Sequence, residues 1–167
     1  MPKNIVICCD GTDNQFSGNH SNIVHTYKSL VQNEHQIVFY DPGVGTMSEP
    51  GFRTRTGRWW SKVSGLAFGS GFMDNVVDAY RILMDVYETG DRIYLFGFSR
   101  GAYTARAVAA LIESVGLLRP ENDNLIRYAL EYWQQDFRDN ESGRAVCSEF
   151  RRAISRPCSV YFIGVWD

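Results

Sequence analysis

The chain has 167 residues, enough for one domain with a sizeable core, and its 44% hydrophobic and 22% charged contents are those of an ordinary globular protein. A formal net charge of −2 leaves no electrostatic footprint for nucleic acid, and no stretch approaches the roughly 20 apolar residues of a membrane-spanning helix. The four cysteines show no C-x-x-C or histidine-rich spacing, so neither a disulfide framework nor a zinc site is expected; reduced thiols, cytoplasmic synthesis and no metal or cofactor follow.

In chain order, Asn4–Cys9 is an apolar, β-favouring run that reads as a buried strand. It is interrupted too soon by Asp10 to be a secretory signal peptide, so any export would be signal-less. A helix is expected over Asn22–Gln32 and a second strand over Gln36–Tyr40. The loop Asp41–Ser64 carries two prolines, several glycines and Trp59-Trp60. A loop of this length reads as a lid facing substrate, or as a segment pinned to the core by its tryptophans. Within it, Arg53–Trp60 offers peripheral contact with anionic lipid, against the plainer reading of a solvated basic loop. Over Gly65–Tyr87, the residues Met73, Val76, Val77, Tyr80, Leu83, Met84 and Tyr87 recur at helical spacing and form one apolar face. Arg92–Phe98 reads as a third strand, Arg100–Val115, Asp123–Asp136 and Arg144–Ile154 as helices, and Ser159–Trp166 as a fourth strand.

Alternating strands and helices imply an α/β fold: a parallel sheet with helices on both faces, in strand order second, first, third, fourth. One domain over residues 1–167 is expected. Right-handed crossovers place chemistry at the carboxyl ends of the strands, where Asp10-Gly11-Thr12, Asp41-Pro42-Gly43, Ser99 and Asp167 fall.

Among these, Ser99 stands at the apex of Gly-Phe-Ser-Arg-Gly, between an apolar strand and an alanine-rich helix. That is the strand, turn and helix of a nucleophile elbow; a merely tight turn is the plainer alternative. Gly97 and Gly101 flank the serine without a Cβ, so helix and strand can approach closely. The helix N-terminus points its free N–H groups at any oxyanion formed on Ser99. Backbone N–H groups of Gly11, Thr12 and Arg100 are candidates for that oxyanion hole, and Asp10 is read as organising the turn after the first strand.

The same segments resemble a bacterial and fungal group of α/β-hydrolase-like proteins that includes the phospholipase effectors of type VI secretion systems. The resemblance runs through CDGTDNQ (Cys9–Gln15), SNIVHTYKSL (Ser21–Leu30), YDPGVGT (Tyr40–Thr46), GFSRGAYTAR (Gly97–Arg106) and GVWD (Gly164–Asp167), essentially the whole chain. It implies a three-layer α/β-hydrolase sandwich and a serine hydrolase acting on carboxylic esters, with phospholipids among the candidate substrates, through a Ser-Asp-His triad. Ser99 matches the nucleophile and Asp167 the acid, with a strand-terminating turn residue as the alternative for Asp167. In the hydrolase order the histidine follows the acid, yet the histidines here are His20, His25 and His35. The chain is therefore expected to be the N-terminal part of a larger hydrolase, incomplete after the acid-bearing strand. On its own it should be a weak catalyst, with His20, in the loop after the first strand, the fallback base. Two other readings stay open. One is a catalytically incomplete binding module that keeps the fold. The other rests on IVICCDGTDN, which resembles the first motif of haloacid-dehalogenase-like phosphatases, although Cys8 occupies the position of the nucleophilic aspartate.

Overall fold

The computed structural model describes residues 1–11, 20–43, 70–138 and 141–167. In chain order the elements are β1 (Asn4–Cys9), α1 (Asn22–Ser29), β2 (Gln36–Asp41), α2 (Ser70–Val86), β3 (Arg92–Phe98), α3 (Arg100–Val115), β4 (Leu117–Leu118), a 3-10 turn (Asp123–Leu125), α4 (Ile126–Arg138), α5 (Ser142–Ile154), β5 (Ser155–Arg156) and β6 (Val160–Trp166). Four strands form one sheet in the order β2-β1-β3-β6, every neighbouring pair parallel, as the alternating pattern requires.

The side-chain alternation of the strands sorts the core into two layers. Ile5, Ile7 and Cys9 of β1 and Ile93 and Leu95 of β3 face one side. There they meet Val76, Tyr80, Leu83 and Met84 of α2 and Ala105, Val108, Leu111 and Ile112 of α3. Val6, Cys8 and Val38 face the other side, against Ile23 of α1, with Tyr27, Tyr40, Tyr94, Phe96, Phe98 and Trp166 packed around them. Helices therefore cover both faces, with α1 on one and α2 to α5 on the other. Five of the six residues of β1 are buried, which is why that run is apolar without alternation. At roughly 2 kcal/mol for each fully buried aliphatic side chain, these central strands carry much of the stability.

Several boundaries differ from expectation for identifiable reasons. Helix α1 stops at Ser29, not Gln32, because Leu30 turns extended and the chain forms a short bridge between Asn33 and Gln36 before entering β2. The stretch from Asp123 opens with a 3-10 turn before α4. The pair β4–β5 has no counterpart in the sequence reading: Leu117–Leu118 lies antiparallel to Ser155–Arg156. It is fastened by Tyr80, whose hydroxyl donates to the carbonyl of Gly116 at 2.8 Å and accepts the N–H of Leu118 at 3.0 Å. From β5, Arg156 donates to the carbonyls of Tyr87 and Met84, supplying partners for the otherwise unpaired end of α2.

The amino-terminal end of the sheet is pinned by Asp91, whose side chain is 1% exposed. It accepts from the Lys3 backbone N–H at 2.8 Å, the Lys3 ammonium at 2.5 Å and the Glu88 N–H at 2.9 Å. Burial alone would raise the carboxyl's pKa, but these donors and the Lys3 charge together hold it below the ordinary aspartate value. Thr12, Trp59-Trp60, the Arg53–Trp60 membrane-contact candidate and most of the expected lid loop lie outside the described residues, as do residues 65–69 of the expected long helix.

Candidate active site

Cys9 of β1 pairs with Asp41 and with Gly97, and Phe98 of β3 pairs with Trp166 of β6. In a parallel sheet this brings Asp10, Asp41, Ser99 and Asp167 to one edge, on strands about 4.8 Å apart. What each of these residues can do depends on which of its polar groups are already engaged.

Ser99 stands alone between β3 and α3, with φ +52° and ψ −120°. A residue with a Cβ rarely adopts this conformation, and holding it costs on the order of 1–3 kcal/mol. The turn is held by the backbone on both sides: the Ser99 N–H donates to the carbonyl of Trp166 at 2.9 Å, and its own carbonyl accepts the N–H of Ala102 at 2.9 Å. A Cβ on Gly97 would collide with the first turn of α3, and one on Gly101 would collide with the carbonyls of Cys9 and Asp10. The helix N-terminus is therefore pressed against the end of β1. The Ser99 side chain makes no capping hydrogen bond and is exposed. Among the described residues the N–H groups of Arg100 and Gly101 have no acceptor, as expected for a helix start. These free donors sit beside an exposed hydroxyl, an arrangement able to receive a developing negative charge.

Asp10 is 1% exposed, and its carboxylate joins three elements. It accepts the N–H of Gly11 at 2.8 Å, the hydroxyl of Ser21 at 2.6 Å and the phenol of Tyr40 at 2.8 Å. Ser21 in turn caps α1 by accepting the N–H of Val24 at 3.2 Å. Burial, and then the hydrogen bond to Asp10, push the Tyr40 phenol upward, so it stays a proton donor to the carboxylate. The Gly11 N–H is thus already engaged, and it would have to leave Asp10 to serve an oxyanion. Ser21 and Tyr40 were not singled out from the sequence; Ser21 was findable as the cap residue preceding Asn22. At the end of β2, burial raises the Asp41 carboxyl, with the Gly43 N–H opposing and the Asp78 and Asp10 charges adding to the rise.

Asp167 is gripped by Arg106, whose two terminal nitrogens donate to its two carboxylate oxygens at 3.0 and 2.7 Å. These bonds hold the Asp167 carboxyl below its ordinary value. Of the histidines, His20 directly precedes Ser21, whose hydroxyl bonds Asp10. The Nε2 of His20 is 3.0 Å from the Lys28 ammonium, and its ring stands edge-on to that of His25 at 5.8 Å. His25 and His35 are exposed, His35 beside Glu34. Cys8, where a phosphatase reading would need an aspartate, is fully buried; burial foremost pushes its thiol up to about 12. Among the described residues no group of three or more His, Cys, Asp or Glu side chains is placed to hold a metal ion. Among them, too, no helix is long and apolar enough to cross a membrane.

Fold and site together define an α/β protein that gathers polar residues at the carboxyl ends of parallel strands around a strained serine. The chain belongs to the family described as the catalytic domain of T6SS Tle1-like phospholipase effectors, whose family model matches residues 3–167. It is also 34% identical over 179 residues to the uncharacterized protein YEL023C of Saccharomyces cerevisiae (strain ATCC 204508 / S288c). That similarity covers 99% of this chain and 26% of the yeast protein, so the chain spans about a quarter of its relative's length. No solved structure matches the chain.

Proposed function

We propose that the chain is a serine hydrolase domain that cleaves carboxylic esters of phospholipids, with Ser99 as nucleophile, Asp167 as triad acid and the Arg100 N–H as an oxyanion donor. The observation that carries this reading is the backbone of Ser99. A left-handed φ at an exposed serine, on a turn packed so closely that Gly97 and Gly101 admit no side chain, is strain at a chemically useful place. The family's description as a phospholipase catalytic domain supports a lipid ester as substrate and export as an effector. In the reaction the serine oxygen attacks the ester carbonyl while a base takes its proton. In this reading the base is a histidine later in sequence than the acid, after the order serine, acid, histidine of such hydrolases.

The test is turnover of p-nitrophenyl and phospholipid esters, with fluorophosphonate labelling followed by peptide mapping. The 167-residue chain should turn over slowly, by no more than about 10³–10⁴-fold above water, the residue left when a triad is incomplete. Ser99→Ala should remove the label and leave that residual turnover in place, since it comes from binding and the oxyanion donors. Labelling that persists in Ser99→Ala, or that maps to another residue, would refute the assignment. Two observations favour a second reading, a binding module that keeps the fold without the chemistry: both Asp167 oxygens are taken by Arg106, and the Gly11 N–H is taken by Asp10. A chain that neither labels nor turns over would favour it.

A further inference from the structure

We propose that Arg106 is the positioning residue of the site: its guanidinium fork fixes the Asp167 carboxylate at the end of β6 and sets where that acid stands relative to Ser99. The inference rests on the hydrolase reading above and extends it to a residue outside the expected triad.

Four observations lead to it. The contact is bidentate, at 3.0 and 2.7 Å, and joins residues 61 apart in sequence, on α3 and β6. Arg106 stands on the helix that Ser99 opens, seven residues on, about 10 Å along a rigid axis. The same strand end is already tied to the serine through the bond from the Ser99 N–H to the Trp166 carbonyl. The last residue of β6 and the residue after it are thus anchored to α3 and its cap, Trp166 by its backbone and Asp167 by its side chain. Finally, Arg100 and Tyr103 share the exposed face of α3 with Arg106, yet it is Arg106 that takes the carboxylate.

An isolated exposed ion pair contributes little to stability, so the use of this one is geometric. A carboxylate offers about four lone-pair sites, and a guanidinium fork occupies two of them. The remaining sites can accept an imidazole N–H while the fork fixes the plane of the carboxylate. Lysine, a point charge on a flexible stem, would preserve the attraction but not the plane. Arg106 is the cation that holds Asp167 ionised, and the Tyr103 phenol is the neighbouring titratable group on the same helix face.

The experiment compares the wild-type chain with Arg106→Lys and Arg106→Gln in two ways. With ¹³C-labelled aspartate, the Asp167 side-chain Cγ is titrated, Asp167→Asn providing the assignment, and ¹⁵N relaxation of the Trp166 and Asp167 amides reports order. The expected result is a midpoint for Asp167 below that of other exposed aspartates, raised in Arg106→Gln. In Arg106→Lys the midpoint stays low but the amide order falls. In ester turnover by a longer chain that includes the catalytic histidine, Arg106→Gln should lower kcat about tenfold with KM little changed, a loss of orientation and not of binding. Added guanidinium ion should restore part of that loss. An identical midpoint and identical order in wild type and Arg106→Gln would overturn the proposal, as would full retention of order by Arg106→Lys. If fluorophosphonate labelling proves independent of Ser99, the hydrolase reading fails while the titration and relaxation still decide whether Arg106 positions Asp167.

Discussion

Replacing Ser99 by glycine should stabilise the protein, and the size of the gain follows from the backbone. At φ +52° and ψ −120° a residue with a Cβ holds strain of roughly 1–3 kcal/mol. Glycine removes that strain but adds unfolded-state entropy worth about 0.5–1 kcal/mol against folding. The net expectation is a gain of up to about 2.5 kcal/mol, about 1 kcal/mol at the middle of these ranges, seen as about 2–4 °C in Tm for each kcal/mol in a chain of this size. Ser99→Ala is the matched control. It keeps the Cβ and therefore the strain, and because the serine side chain is exposed and caps nothing, it should fall within about 0.5 kcal/mol of wild type. Urea unfolding of the three proteins at neutral pH, with m-values compared to confirm a common unfolded state, reads the difference directly. A glycine variant no more stable than the alanine variant would show that the turn is relaxed, and the argument from strain to function would lose its footing.

Asp91 links stability to pH. Its carboxyl lies below the ordinary aspartate value in the folded chain, so its contribution is complete above about pH 4 and is lost as pH falls through the folded pKa. Asp91→Asn should cost about 2–3 kcal/mol at pH 7, since it removes the buried charge that accepts the Lys3 ammonium and leaves that ammonium the exposed Glu88 carboxylate at 3.6 Å, and the gap from wild type should close in acid; a gap that does not change with pH would contradict the pairing. Tyr40→Phe removes one of the hydroxyls donating to Asp10 and should cost about 1.5–2 kcal/mol by chemical denaturation, as for a hydrogen bond to a charged group. A loss below about 0.3 kcal/mol would mean that the contact does not hold the turn after β1.

The strands were legible because each is buried on both sides or long enough to show a pattern. Asn4–Cys9 and Arg92–Phe98 were read with their observed bounds, and strand order followed from chain order and crossover handedness. The helices that cover them were legible through single apolar faces, as in Val76, Tyr80 and Leu83. What escaped was short or non-local. The pair β4–β5 has two residues on each side, too few for any periodicity, and it exists because the Tyr80 hydroxyl and the Arg156 guanidinium meet backbone groups far away in sequence.

The same division governs the site. The turn at Ser99 was legible because its signal is local: two glycines, a preceding strand and a following helix within ten residues. The partners of Asp10 were not local, since Tyr40 arrives through the register of β2 and Ser21 through the start of α1. Nor was the engagement of the Gly11 N–H by the Asp10 carboxylate legible, since an aspartate's usual local turn bond goes to the N–H two residues on. Position at the carboxyl edge of a parallel sheet brings residues together, but it does not decide which of their donors remain free. The Asp10 carboxylate takes the Gly11 N–H, and Arg106 takes both carboxylate oxygens of Asp167. Among the described residues the helix start after Ser99 keeps its donors open. Chemistry at this edge is set by that competition, and the serine turn is where it leaves donors unclaimed.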